Sequence, residues 1–284
     1  MKIIINAELQ DTPQKITPII SYKNFWVNCL AALGYNAHYT PVADLLRRYH
    51  GEEAGRWLIM TPVHGRVTHN DAMLVQAGDS FHFSEAQSKI WFEEIKQFLA
   101  ADHFTLIYHD PAHWLVKLPD EGTVSLPHSP NIQEVLNQSL MPYLAQLDAS
   151  QYWQRLLTEL QMFMAGHPLN TAQHISSGAA LSCNGVWFWG GGVLDNIEQT
   201  PHFLTDDPVL LALFPHSQLW QEHQILMSQE KLVIVPVSHQ RSIEILQHSN
   251  HRISCEWYWN NLAYSKKRLS WLQKILNLKC GRGR

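Results

Sequence analysis

The residues best equipped for chemistry lie close together in the chain. His167, Pro168, Leu169 and Asn170 are consecutive, and Asn184 leads into Trp187, Trp189 and the run Gly190-Gly191-Gly192. A neutral imidazole and two carboxamides offer directional hydrogen bonds of both senses. Two indoles can stack on a ring. Successive glycine amides can cradle an anion, since no side chain blocks the approach. Together these residues form a candidate site for a small polar or phosphorylated ligand. Each also has a plainer use: Asn170 can cap the next segment, His167 can satisfy a helix carbonyl, and an aromatic strand can simply fill a core.

Other constellations are weaker. His64 with His69 and Asp71, His109 with Asp110 and His113, and His202 with Asp206 and Asp207 could hold metal, but none has a dedicated spacing such as H-E-x-x-H. Loop polarity is the commoner use of such clusters, and His109 with His113, in an expected hairpin turn, is the best placed of them. There is no G-x-S-x-G nucleophile elbow, no phosphate-binding G-x-x-x-x-G-K-[ST] loop and no dinucleotide fingerprint. Cys183 precedes an apolar strand, where cysteine usually serves as a small core residue. No catalytic residue is assigned, and no metal or cofactor is expected.

Composition narrows the partners. The chain has 284 residues, 45% of them hydrophobic and 16% charged, with a net charge of −4 when its 17 His are neutral. That is a globular composition with no basic field for nucleic acid. The run Lys266-Lys267-Arg268 is most simply a solvated helix face. The four Cys, at 29, 183, 255 and 280, form no C-x-x-C pair. Reduced thiols and a cytoplasmic location are expected, with no signal peptide and no membrane span.

The elements that must position these residues follow from periodicity. Residues 156–164 carry apolar groups at helical spacing, and Gly166-His167-Pro168 breaks that helix. Residues 186–189 form a strand apolar on both faces, which suggests burial between layers. Strands are also expected at 3–9, 57–60, 72–76, 231–237 and 253–259, with a hairpin from 104–108 and 114–118. Helices are expected at 18–33, 42–49, 84–99, 131–144, 207–213, 219–227, 241–247 and 265–278, and 200–207 reads as a loop. The alternation predicts an α/β fold, a mixed or mostly parallel sheet with helices on both faces. A single domain over 1–278 is expected, followed by a basic tail, 279–284.

The central block also resembles a known family. E-x-Q-M, then H-P-[VL]-N, a Gly, and N-x-x-W-x-W-G-G-G are matched here by Glu159, Gln161, Met162, His167, Pro168, Asn170, Gly178, Asn184, Trp187, Trp189 and Gly190 to Gly192. This pattern resembles the bacterial RpfE-type regulatory proteins, which are phosphoglycerate mutase-like. Weaker matches lie upstream at Thr61-Pro62-Val63-His64, Phe83-Ser84-Glu85-Ala86 and His113-Trp114-Leu115. A shorter form of the block is similar to a segment of archaeal-type, cofactor-independent phosphoglycerate mutases, which resemble alkaline phosphatases and use two metal ions. Two departures stand out. Gln173 occupies the place of an Arg that could pair with an anion, and Asn6-Ala7-Glu8 follows the first strand where metal-dependent mutases have an Asp-Gly-like entry. The resemblance therefore implies a non-catalytic or regulatory descendant of the mutase scaffold, binding a small polar or phosphorylated ligand or a protein partner. The alternative is an active mutase or metal-dependent phosphatase. If the block is one site, at least one glycine has positive φ, Asn184 hydrogen-bonds across the glycine turn, and that turn borders a cleft containing His167.

Overall fold

The computed structural model describes residues 1–13, 16–119, 124–170, 182–219, 232–235 and 254–266. Its strands are Lys2–Ile5 (β1), Thr17–Pro18 (β2), Trp57–Val67 (β3), Ala72–Ala77 (β4), Thr105–Asp110 (β5), His113–Lys117 (β6), Gly185–Trp189 (β7), Phe203–Thr205 (β8), Ser217–Leu219 (β9), Leu232–Val235 (β10), Cys255–Tyr258 (β11) and Ala263–Lys266 (β12). Its α-helices are Phe25–Ala32 (α1), Val42–Tyr49 (α2), Glu85–Leu99 (α3), Ile132–Val135 (α4), Met141–Leu144 (α5), Tyr152–Ala165 (α6) and Pro208–Leu213 (α7). The chain was expected to form one domain over 1–278. Its contacts fall into two compact units, Met1–Ala37 with Asn196–Arg284, and His38–Asp195.

The first unit is built on a seven-stranded sheet in the order β2-β12-β11-β1-β10-β8-β9. Strands β11, β1, β10, β8 and β9 run parallel, while β12 and β2 add antiparallel at one edge. Burial explains the centre: Ile3, Ile4 and Ile5 are all fully buried, so β1 is covered on both faces, as parallel strands require. Trp257, Trp259 and Tyr264 stack beside Ile3 and Ile5 in the same core. Helices α1 and α7 complete an α/β fold with a mixed sheet. Each helix starts where a side chain accepts from its first turn, Asn24 from Val27 N and Asp207 from Leu210 N, with Pro208 in the first turn of α7.

The second unit holds a five-stranded antiparallel sheet with β3 at its centre. Val63 pairs with both Ala77 and Gly185, and Met60 with both Trp114 and Phe188. A residue has only two edges, so β4 and β6 share one side of β3 and β7 takes the other. The β3–β4 ladder shifts register between His64 and Gly65, a bulge that bends the strand end. The hairpin β5–β6 forms as its sequence predicts, with Asp110 accepting from the Ala112 and His113 amides in the turn.

Several boundaries differ from expectation. The first helix begins at Phe25, not residue 18, because Pro18 pairs in β2 and Asn24 supplies the cap. Residues 131–144 form two short helices rather than one, with Pro142 in the first turn of the second. The expected loop at 200–207 contains β8, whose three residues are all buried. Ser265 and Lys266, expected in a helix, pair in β12 with Glu256 and Cys255. Leu219, expected to start a helix, pairs in β9 with Thr205. The remainder of 219–227, the expected helix 241–247, the remainder of 265–278, the tail 279–284, and Gly178 and Gln173 lie outside the described residues.

Candidate functional site

Strand β7 carries the central block, and its two ends are built differently. At its entrance Asn184 lies beside the bulge in β3. Its Oδ1 accepts from Gly65 N at 2.7 Å and its Nδ2 donates to Gly65 O at 2.8 Å. The carboxamide thus continues the ladder where the backbone departs from it. Asn184 does not reach across the glycine turn as expected; it holds the opposite end of the strand. His64 Nδ1 donates to Ser182 O at 2.6 Å and reinforces the same junction.

Asn170 acts as a clasp through its amide nitrogen; the segment it was expected to cap, 171–181, lies outside the described residues. Its Nδ2 donates to Met164 O and to Cys183 O, both at 2.7 Å, tying the end of α6 to the entrance of β7. Both partners are carbonyls, so the amide nitrogen must face them. His167 points elsewhere. Its Nδ1 accepts from Leu169 N at 3.3 Å, its Nε2 lies 3.4 Å from Glu94 Oε2, and its ring packs against Trp91 and Phe163. It joins α6 to α3 and does not satisfy a helix carbonyl with its side chain.

At the exit of β7, Gly190 has φ +73° and Gly192 φ +142°, the conformations that favour glycine. The space beside these glycines is filled by protein. A Cβ on Gly190 would lie 3.2 Å from Ile59 Cγ1, one on Gly191 2.9 Å from Leu58 Cδ2, and one on Gly192 3.3 Å from Pro41 Cβ. Gly190 O accepts from Ala43 N at 2.9 Å, satisfying a first-turn amide of α2. Buried Asp44 accepts from Leu194 N, Arg47 Nε and Arg48 Nε, and so locks the chain beyond the turn to the same helix. The glycine run is a docking surface for α2.

Between these ends Trp187 and Trp189 are each 1% exposed, and their indoles donate to Pro130 O and Thr61 Oγ1. Cys183 is likewise buried, and burial pushes its thiol up to about 12, far from a reactive thiolate.

A cleft of about 170 Å³ opens at the entrance end, between β3, β4 and β7 on one side and α5 and α6 on the other. Asn184, Gly185, Val186 and Trp187 form part of its floor. Gln154, Leu157, Thr158 and Gln161 line it as one stripe of α6, spaced for a single helix face. Of the residues expected to form a site, it unites Asn184 and Trp187; His167, Asn170, Trp189 and the glycines are not in its lining. Arg66, Thr158 and Gln161 were not singled out as binding residues. The available signal was the three- and four-residue spacing along α6, with Gln161 already in the recognised pattern.

The hairpin cluster forms a second polar centre. His113 Nδ1 lies 3.0 Å from both Asp110 oxygens, and His50 Nε2 lies 3.0 Å from His109 Nδ1. Burial holds His109 down to about 4, with His113 and His50 adding repulsion, while Asp110 opposes the shift. Burial also opposes charge on His113 and Asp110. Their mutual attraction prevails, raising His113 and holding Asp110 down to about 2. Among the described residues no group of three or more His, Cys, Asp or Glu could hold a metal ion.

In the first unit, the carboxyl ends of parallel strands are where α/β sheets place ligands. Asn6 and Asn260 follow β1 and β11 there, and Asn260 Nδ2 donates to Asn6 Oδ1 at 3.0 Å. Asp207, beyond β8, accepts from Leu210 N as a helix cap, and burial raises its carboxyl. Among the described residues at these strand ends, the neutral amide pair and the committed cap do not fit the two metal ions implied by the resemblance to mutases.

No protein-family model matches the chain, and no curated protein matches it. No helix among the described residues is long and apolar enough to cross a membrane. Among solved structures, the chain is similar to the PH0037 protein from Pyrococcus horikoshii, with a TM-score of 0.41 and 9% identity over 93% of this chain and 85% of that one. It is also similar to a cofactor-independent phosphoglycerate mutase from Thermoplasma acidophilum, with a TM-score of 0.36 and 13% identity over 93% of this chain and 88% of that one.

Proposed function

We propose that this chain is a non-catalytic, regulatory descendant of the phosphoglycerate mutase scaffold that binds a small anionic ligand in the cleft at the entrance of β7. The observation that carries this reading is the convergence of Gln161, Asn184 and Trp187, residues of the recognised pattern, on one cleft. Arg66 is the single charged residue among the described residues lining it, so an anion, phosphorylated or otherwise, is the complementary ligand. The amide pair Asn6–Asn260 and the deeply buried Cys183 support binding without turnover. A protein partner that reads the ligand-bound state is compatible with the same site.

The test pairs calorimetry with turnover. The purified protein, supplied with manganese and 3-phosphoglycerate, is expected to form no 2-phosphoglycerate and to release no phosphate, while small anions bind and are excluded by Thr158→Phe. Sustained turnover removed by a substitution at Asp207 or His113 would instead establish the active mutase or phosphatase.

A further inference from the structure

Resting on that reading, we infer that the ligand of the cleft is a monoanion with an apolar body about the size of a benzene ring, such as an aryl or branched-chain carboxylate. Size comes first. The cleft holds about 170 Å³, and an apolar cavity of roughly 150 Å³ accommodates benzene. The walls come second. The lining is mostly apolar, with Val63, Leu74, Leu140, Leu157, Val186 and Trp187 among its residues, and would desolvate hydroxyls without returning hydrogen bonds.

The polar atoms decide the head group. Asn184 spends both ends of its carboxamide on Gly65, Gln154 donates to Leu144 O, and Thr158 donates to Gln154 O. Among the described lining residues, the Arg66 guanidinium and the Gln161 carboxamide remain outside these hydrogen bonds. Arg66 lies exposed at the end of β3 beyond the bulge, whereas the apolar wall residue Val186 is buried. One anionic group therefore meets Arg66 and Gln161 at the mouth, with an apolar body below it. A sugar phosphate or phosphoglycerate has hydroxyls and a second anionic group with no counterpart in the walls.

The probe is benzoate, titrated into the full chain by calorimetry beside benzyl alcohol and 3-phosphoglycerate. Benzoate is expected to bind, at least ten-fold more weakly to Arg66→Ala and not at all to Thr158→Phe. Both substitutions are at exposed positions, so circular dichroism and melting should match the parent protein. Benzyl alcohol, lacking the charge, is expected to bind at least ten-fold more weakly than benzoate. If 3-phosphoglycerate binds and Thr158→Phe excludes it while benzoate does not bind, the ligand class is wrong and the proposed function stands. If neither anion binds the parent protein, both fall. Benzoate binding unchanged by Arg66→Ala and Thr158→Phe places it outside the cleft and overturns the inference alone.

Discussion

The two ends of β7 solve opposite problems with residues from one sequence block. At the entrance, polar side chains replace missing backbone partners: Asn184 completes the ladder at Gly65, and Asn170 bridges two carbonyls. At the exit, side chains are removed so that α2 can approach, and Ile59, Leu58 and Pro41 occupy the space. The cleft lined by Asn184 and Trp187 lies at the entrance. Glycine next to a tryptophan strand is therefore poor evidence for a ligand when another element can use the same vacancy. A carboxamide beside a bulge says more, because it marks where the sheet opens.

The largest expected effect tests the entrance clasp. Asn170→Asp places a carboxylate against two carbonyl oxygens and removes both donors. It should destabilise by about 3 kcal/mol in urea unfolding, against about 1–2 kcal/mol for Asn170→Ala. An acceptor cap would give the reverse order, with Asp nearly neutral. Next comes the exit. Gly190→Ala forces a side chain into φ +73° and within 3.2 Å of Ile59, and about 2 kcal/mol is expected, with no change in ligand affinity. A loss of affinity at unchanged stability would return the glycines to the binding site.

The hairpin cluster reports on the exit end through pH, because the His113 ring lies 6.2 Å from that of Trp189. His109 is held down to about 4, below its ordinary value near 6.5, so the unfolded chain takes up its proton first as pH falls. Its effect is a loss of stability between about pH 6.5 and 4. His113 is raised and works oppositely: its contribution is present below about 6.5 and is lost as pH rises through its folded value. The Asp110 contribution, present above its ordinary value of 3.8, is lost as pH falls toward about 2. His109→Gln should therefore lessen the fall in stability from pH 6.5 to 4.5, by about 1–2 kcal/mol. An unchanged slope would mean that His109 is solvated and the cluster is loose. The smallest effect is Asn184→Ala, about 1 kcal/mol in stability, with weaker ligand binding as the bulge relaxes.

Much of this was legible in the sequence. The helix ending before Gly166, the aromatic strand and the hairpin at 105–117 follow from apolar spacing and turn residues, and they formed. A positive φ somewhere in the glycine run was expected from the crowded strand before it, and Gly190 and Gly192 have one. Periodicity could not say which way Asn170 and Asn184 would turn, since a carboxamide both donates and accepts and both choices leave the pattern unchanged. Nor could it show that His167 would pack against Trp91 and Glu94 of α3. The short β8 and β2 escaped because two- and three-residue strands have no period to detect. The cleft depended on α6 facing the bulge, a tertiary relation that neither segment carries alone.

The most direct test of the two-ended account is one calorimetric series with benzoate on the parent protein, Gly190→Ala and Thr158→Phe. The account predicts equal affinity for the parent and Gly190→Ala, at a temperature where both are folded, and no binding to Thr158→Phe. Binding retained by Thr158→Phe and lost in Gly190→Ala would contradict it, and would place the ligand at the glycine end of β7.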